Sequence, residues 1–330
     1  MKLTVVIPVY NQPELCRQCL RSLKSQTFRD FGIVLVDDGG SRDYKGLIKE
    51  FPEQQINYER NEKNLGAILN IFYTIFYPVQ TEYVMSMHED DLLHPSFLER
   101  AVNVLDTHPQ SEFAGSKGIF FDEEAEALKL AAKNELPVKV SEFGAADFVR
   151  FILGGSPFML GSAVYRSQAL LTAPKPNLAG LSVSCDRPFL VDLIGDNTCL
   201  VFNEPMFYSR RHGKKDMRGK DMDWQQVFGL YEYYRSRLPQ PLSLKDQRLF
   251  LTSSTNNLLL SYRSLFPDKR PSRFLYIGEG KRRGLIKFDK LNSKGSFGLL
   301  SMCLGSTFSF YLLKAVQGLR QKIKPSPYQT

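Results

Sequence analysis

The chain has 330 residues, 43% hydrophobic and 24% charged, an ordinary balance for one large globular domain or a domain with an extension. Five cysteines (Cys16, Cys19, Cys185, Cys199, Cys303) are odd in number and lack zinc-finger spacing, which argues against a disulfide framework and for a reducing compartment. The net charge of +8 is uneven: from Pro205 onward 24 Lys and Arg face 8 Asp and Glu, while the rest carries 19 against 27, so the C-terminal part is expected to meet an anionic partner.

The chain enters a strand at once, with no basic leader, so no signal peptide is expected. Leu3 to Tyr10 is nearly all apolar and β-branched, the pattern of a parallel strand buried on both faces. Asn11 with Glu14 three residues on resembles a capping box, and Leu15, Cys19 and Leu23 then share one helical face. That helical context, with Arg17-Gln18 between Cys16 and Cys19, argues against a redox motif. Phe31 to Val36 is a second buried strand and ends in Asp37-Asp38-Gly39-Gly40-Ser41. Arg42 to Phe51 reads as a helix, Ile56 to Arg60 as a short strand, and Asn64-Leu65-Gly66 as the start of a helix through Phe76. A fourth strand-like run from Tyr83 ends in His88-Glu89-Asp90-Asp91, and a helix is expected over Ser96 to Leu105. Strand and helix alternate, so the first half is expected to be an open α/β sheet with parallel crossovers.

In such sheets ligands bind outside the carboxyl ends of the strands. Three ends here carry polar groups: Pro8 to Asn11, Asp37 to Ser41, and His88 to Asp91. Carboxylates crowded at a strand end repel one another and lose hydration, and a divalent cation relieves both costs. Mg²⁺ or Mn²⁺ held by one or two carboxylates, its shell completed by phosphate oxygens, fits the His88–Asp91 stretch. The competing reading is a solvated turn in which Asp90 or Asp91 caps the next helix. Glu89 is expected to point to the other side of the strand end. The acidic pair Asp37 and Asp38 suits ribose hydroxyls or a base edge. No P-loop is present and no G-x-G-x-x-G follows the first strand.

Phe113 to Phe121 reads as a strand, followed by an exposed acidic face at Asp122, Glu123, Glu124 and Glu126. Ser141 to Leu153 reads as a helix, and Gly154 to Ser162 as an apolar loop entering the strand Ala163 to Tyr165. Asp186 precedes Pro188 and a helix-like run to Ile194, where an N-cap is the structural alternative to a catalytic role. Thr198 to Phe202 is a strand, and Met206 to Lys215 a basic stretch with Arg210, Arg211 and His212. Trp224 to Leu238 and Leu244 to Leu265 read as helices, and Pro267 to Arg283 as a basic loop. Phe297 to Leu313 holds no charged residue but falls short of the ~20 residues of a comfortable membrane span. A helix lying on an anionic membrane surface, with basic flanks, is the expected alternative to one packed on protein.

Over about the first 215 residues the chain resembles the family 2 glycosyltransferases of the GT-A fold. The matching stretches are Thr4 to Asn11, Val36 to Asp43, Asn64-Leu65-Gly66, and His88-Glu89-Asp90-Asp91 in the place of Asp-x-Asp-Asp. There are two departures and one insertion: His88 for the first aspartate, Cys185 for the glutamate of the usual Glu-Asp, and an extra glycine after Asp37-Asp38. The resemblance implies an α/β fold with a GT-A-type open, mostly parallel sheet flanked by helices and a mainly helical basic extension. It implies a catalytic domain over 1–215, with a nucleotide-sugar half to about 110 and an acceptor half beyond, then a C-terminal region over 216–330. It further implies inverting transfer of a sugar from a nucleotide-diphosphate donor, by default a UDP-sugar, to a saccharide or lipid-linked acceptor, and no nucleic-acid partner. Carried over residue by residue, Pro8, Tyr10, Asn11, Asp37, Asp38, Asn64, Gly66, Arg210 and His212 would bind the donor. Asp90 would hold Mn²⁺ or Mg²⁺, with His88 and His212 as weaker candidates, and Asp186 would be the base. The expected setting is polysaccharide synthesis at the inner face of a bacterial membrane. Two rivals stay open. A nucleotidyltransferase requires a Gly-rich basic loop that Pro8 to Pro13 lacks, while the departures at His88 and Cys185 keep a non-catalytic relative in view.

Overall fold

The computed structural model describes residues 1–133, 139–177, 185–211, 224–264 and 272–292, with positions 296 and 299. It divides into two compact units, one holding the described residues up to 211 and the other those from 224 on.

The first unit is built on one sheet of nine strands: β1 (Leu3–Val9), β2 (Phe31–Asp37), β3 (Ile56–Arg60), β4 (Tyr83–Ser86), β5 (Leu92–Leu93), β6 (Ser111–Phe121), β7 (Val140–Phe143), β8 (Ala163–Arg166) and β9 (Thr198–Arg210). Their order is β3-β2-β1-β4-β8-β6-β9-β5, with β7 also paired to β9. From β3 to β4 every pairing is parallel, and β1, β2 and β4 have the buried, alternation-free sequences of such strands, while the edge strand β3 alternates. Beyond β4 the sheet is mixed: β8 runs antiparallel to both β4 and β6, and β9 runs parallel to β6 but antiparallel to β5 and β7.

The flanking helices are α1 (Pro13–Lys24), α2 (Tyr44–Ile48), α3 (Ala67–Ile75), α4 (Phe97–Thr107), α5 (Glu124–Lys133), α6 (Ala145–Leu153), α7 (Ser167–Thr172) and α8 (Asp186–Ile194). The main core joins the inward faces of β1, β2 and β4 to Cys16, Cys19, Leu20 and Leu23 of α1 and to Phe97, Leu98, Ala101 and Leu105 of α4. Cys16 and Cys19 are packing residues there, with thiols pushed up by burial. On the other side of the sheet Phe113, Phe148, Phe158 and Tyr165 form an aromatic cluster with ring centroids 5.3–5.9 Å apart. Gly115 makes that packing feasible, since a Cβ there would lie 2.6 Å from both the Phe158 ring and the Ser162 carbonyl oxygen.

Several expectations need correction. Gln12, not Asn11, precedes α1, and no side chain caps it. Asn11 instead adopts a left-handed conformation, φ 59°, and turns its amide to the neighbouring strand end. The stretch expected to be helical from Ser141 splits into β7 and α6, because Gly144 separates them. Helix α2 is only five residues long, and the basic Pro267 to Arg283 region contains a helix over Arg273–Arg282. Asp186 is the first residue of α8 rather than its cap, a place taken by Cys185.

The second unit contains helices over Trp224–Ser236, Leu244–Ser264 and Arg273–Arg282. The buried Tyr276 ring packs 4.9 Å from Phe228 and 5.1 Å from Tyr262, and its hydroxyl donates to the Leu258 carbonyl. Among the described residues no helix is long and apolar enough to cross a membrane. The uncharged run 297–313 lies outside them, save position 299.

Candidate active site

The carboxyl ends of β1, β2 and β4 are adjacent, so the polar groups that follow them meet in one crevice. Pro8 occupies β1 opposite Val36. The Val6 carbonyl accepts from the Met87 N–H, and the Val9 carbonyl accepts from the Asp38 N–H. Alternation therefore turns Pro8 toward β4 just past the last paired residue, where a missing N–H costs nothing.

Asp37 and Asp38 are buried and hold the loops around them. Asp37 accepts from the Gly40 N–H at 2.9 Å and the Tyr58 hydroxyl at 2.6 Å, and pairs with Arg60 at 3.5 Å. Asp38 accepts from the N–H groups of Leu65 (2.8 Å) and Gly66 (3.0 Å) and from the Asn61 amide (3.0 Å). A carboxylate offers about four acceptor sites, and on each of these nearly solvent-sealed residues three are taken by the loops. Asn64 closes its own turn by accepting from the Gly66 N–H. Gly66, at φ 81° and ψ 155°, lies in a region open almost only to glycine, and a Cβ there would meet nothing within 4 Å. Tyr58 and Arg60 were not singled out from sequence, although residues two apart on a strand share a face and both meet Asp37.

The acidic stretch after β4 divides by side. Single ligand atoms of His88, Asp90 and Asp91 lie within 4.8 Å of one another. Asp90 and Asp91 are buried and His88 is partly exposed. Burial, then repulsion from Asp90, pushes the Asp91 carboxyl up to about 7, while His88 at 3.6 Å and the Arg210 N–H at 3.1 Å offset part of that. Two buried carboxylates and an imidazole converging in this way form a donor set that fits a divalent cation. Asp91 does not cap α4; it is tied to β9 by the pairing of β5 with Phe207 and Tyr208. Glu89 turns away from the cluster, as expected, and burial pushes it up to about 7.

Arg210 ends a strand rather than riding on a loop. Its Nε donates to the Asp90 carbonyl at 3.3 Å, and its guanidinium lies 4.5 Å over the Phe121 ring. Arg211 pairs with Asp122. His212 lies outside the described residues. Asp186 begins α8, which docks on α3 through Phe189, its ring 5.5 Å from Phe76 and 6.2 Å from Phe72. Burial raises the Asp186 carboxyl, while Arg187 and the nearby His88 favour its ionised form.

Residues 4–150 match the family described as Glycosyl transferase family 2. The amylovoran biosynthesis glycosyltransferase AmsE of Erwinia amylovora is 27% identical over 289 residues, covering 85% of this chain and 99% of that protein. The glycosyltransferase GlyA of Streptococcus pneumoniae is 32% identical over 101 residues, but these are 30% of this chain and only 14% of that protein. A Rickettsia typhi glycosyltransferase is likewise matched over only 31% of its length. The structure of Staphylococcus aureus TarS 1–349 in complex with UDP-GlcNAc superposes with a TM-score of 0.54 over 91% of both chains, at 14% identity, a likeness of fold. The strand-end geometry and the family match identify residues 4–150 as a glycosyl transferase family 2 region, and the shared architecture gives the chain a GT-A-type α/β fold.

Proposed function

We propose that the protein is an inverting, divalent-metal-dependent glycosyltransferase that moves a sugar from a nucleotide-diphosphate donor to a hydroxyl of a saccharide or lipid-linked acceptor. The observation that carries this reading is the His88, Asp90 and Asp91 cluster, which follows β4 beside the strand end that carries Asp37 and Asp38. Asp37 and Asp38 are assigned to the nucleoside by the resemblance, and the Tyr10–Asn11 turn borders it. Asp90 and Asp91, with His88 beside them, hold Mn²⁺ or Mg²⁺. A bound cation supplies charge neutralisation for the donor's diphosphate.

Asp186 is the base. It takes the proton of the acceptor hydroxyl as that oxygen attacks the anomeric carbon, and the nucleoside diphosphate leaves from the opposite face. One carboxylate suffices because no covalent sugar–enzyme intermediate forms. Its raised proton affinity suits that task, and the Arg187 charge favours the ionised form that accepts the proton. Arg210, held at Asp90, adds positive potential on the diphosphate side. His212, from the same basic stretch, is assigned there by the resemblance alone. UDP is the default nucleotide of the family and is the ligand named for TarS 1–349. AmsE is described as acting in amylovoran biosynthesis, and a polysaccharide role at the inner face of the cell membrane is the corresponding proposal here. The basic C-terminal unit would meet the anionic surface.

The test is release of nucleoside diphosphate from a panel of nucleotide sugars in Mn²⁺. Wild-type protein should hydrolyse one donor slowly, and Asp186→Asn should not. Wild-type protein that is folded and inert toward every donor contradicts the reading.

A further inference from the structure

We infer that Glu89 is a positioning residue for the donor nucleotide: its carboxylate, buried behind the cation cluster, fixes the turn at the end of β1 and the head of α2. The inference rests on the nucleotide-donor reading above. Glu89 lies between His88 and Asp90 in sequence, yet its side chain is not part of their cluster. It is 6% exposed and accepts two hydrogen bonds. One oxygen takes the Tyr10 backbone N–H at 2.7 Å, and the other takes the Tyr44 hydroxyl at 2.6 Å. The same phenol oxygen accepts the Gln12 backbone N–H at 2.9 Å. Two N–H groups of one turn are thereby satisfied, one directly and one through the phenol.

Asn11, between them, is held at φ 59°, and its Oδ1 accepts from the Ser41 N–H at 2.7 Å and the Arg42 N–H at 3.3 Å. A single carboxylate therefore links the stretch that supplies the cation ligands to the β1 turn and, through Tyr44 and Asn11, to the turn after Asp37 and Asp38. The pieces that would grip the nucleoside are locked to the piece that would grip the diphosphate. A loop ordered before the ligand arrives spares the ordering cost on binding, so the gain appears as affinity for the donor. Both contacts are donations to carboxylate oxygens, which in the ionised form make the stronger class of hydrogen bond.

Four proteins test this: wild type, Tyr44→Phe, Glu89→Gln and the double variant. Each is titrated calorimetrically with UDP, GDP, CDP and ADP in Mn²⁺, after far-UV dichroism has verified its fold. Each single variant should weaken the Kd of the nucleotide that wild type binds by about tenfold, the loss expected of one charge-assisted hydrogen bond. The losses in the double variant should fall short of the product of the single losses, because both changes break the shared Glu89–Tyr44 contact. The KM for the acceptor and kcat at saturating donor should stay within about twofold. Unchanged Kd in folded variants, with only the thermal midpoint lowered, overturns the inference while leaving the donor site standing. Multiplying losses in the double variant overturn the single-link scheme. If wild type binds no nucleotide, the donor-site reading fails, and this inference with it.

Discussion

The two halves of the first unit's sheet reach order by different means. From β3 to β4, the strands are parallel and their ends are tied by side-chain carboxylates on backbone N–H groups: Asp37 on Gly40, Asp38 on Leu65 and Gly66, Glu89 on Tyr10. Beyond β4 the sheet is mixed and rests on the aromatic cluster around Phe113 and Phe148, with Gly115 admitting the close approach. A polar framework with fixed donors and acceptors suits a ligand of constant chemistry, the nucleotide. An apolar scaffold tolerates change in the segments it carries, which suits a varied acceptor. The proposed base, Asp186, stands on a helix that packs across both, through Phe189 against α3 and through contacts with α6.

If that division holds, damage in each half has its own signature. The largest effect is expected at Asp186→Asn: turnover falls about 10²- to 10⁴-fold, the usual worth of a general base, while nucleoside diphosphate binding persists in calorimetry. Phe148→Ala should come next, lowering stability by about 3–5 kcal/mol in urea denaturation, since the side chain is fully buried. Its folded fraction should bind the nucleotide as wild type does. Gly66→Ala should cost about 1–3 kcal/mol, from the backbone conformation and not from a clash, and should weaken nucleotide binding as well.

The smallest effect is a pH dependence of the metal-free protein. Asp91 and Glu89 are pushed up to about 7 from ordinary values near 3.8 and 4.5. Between those values and about 7 the native state binds more protons than the unfolded chain, so their contribution to stability is lost as pH rises through that window. In EDTA the urea midpoint should therefore carry a falling term from pH 5.5 to 8, and Asp91→Asn should flatten it. A slope identical in the variant would show that Asp91 is not strained by its neighbours.

Much of the parallel half of the sheet was legible in the sequence, because β1, β2 and β4 are buried on both faces and read as unbroken apolar runs. The acidic turns after them stood out for the same reason, as abrupt charge at the end of an apolar strand. The site's internal wiring was not legible. That Glu89 reaches Tyr10 and Tyr44, or that Tyr58 and Arg60 meet Asp37, depends on pairings of strands and helices distant in sequence. In the other half, β9 was expected to end at Phe202, short of Asn203-Glu204-Pro205. It continues to Arg210 because a register shift against β6 absorbs those residues. The same continuation turned Arg210 from a loop residue into one fixed on Asp90.

The most direct test of a metal-dependent nucleotide site is calorimetric titration of wild type and Asp90→Asn with nucleoside diphosphates, with and without Mn²⁺. One nucleotide should bind wild type only when Mn²⁺ is present, and Asp90→Asn should weaken that binding at least tenfold. Equal binding with and without metal, or equal binding by the variant, would contradict the assignment of Asp90 as a cation ligand.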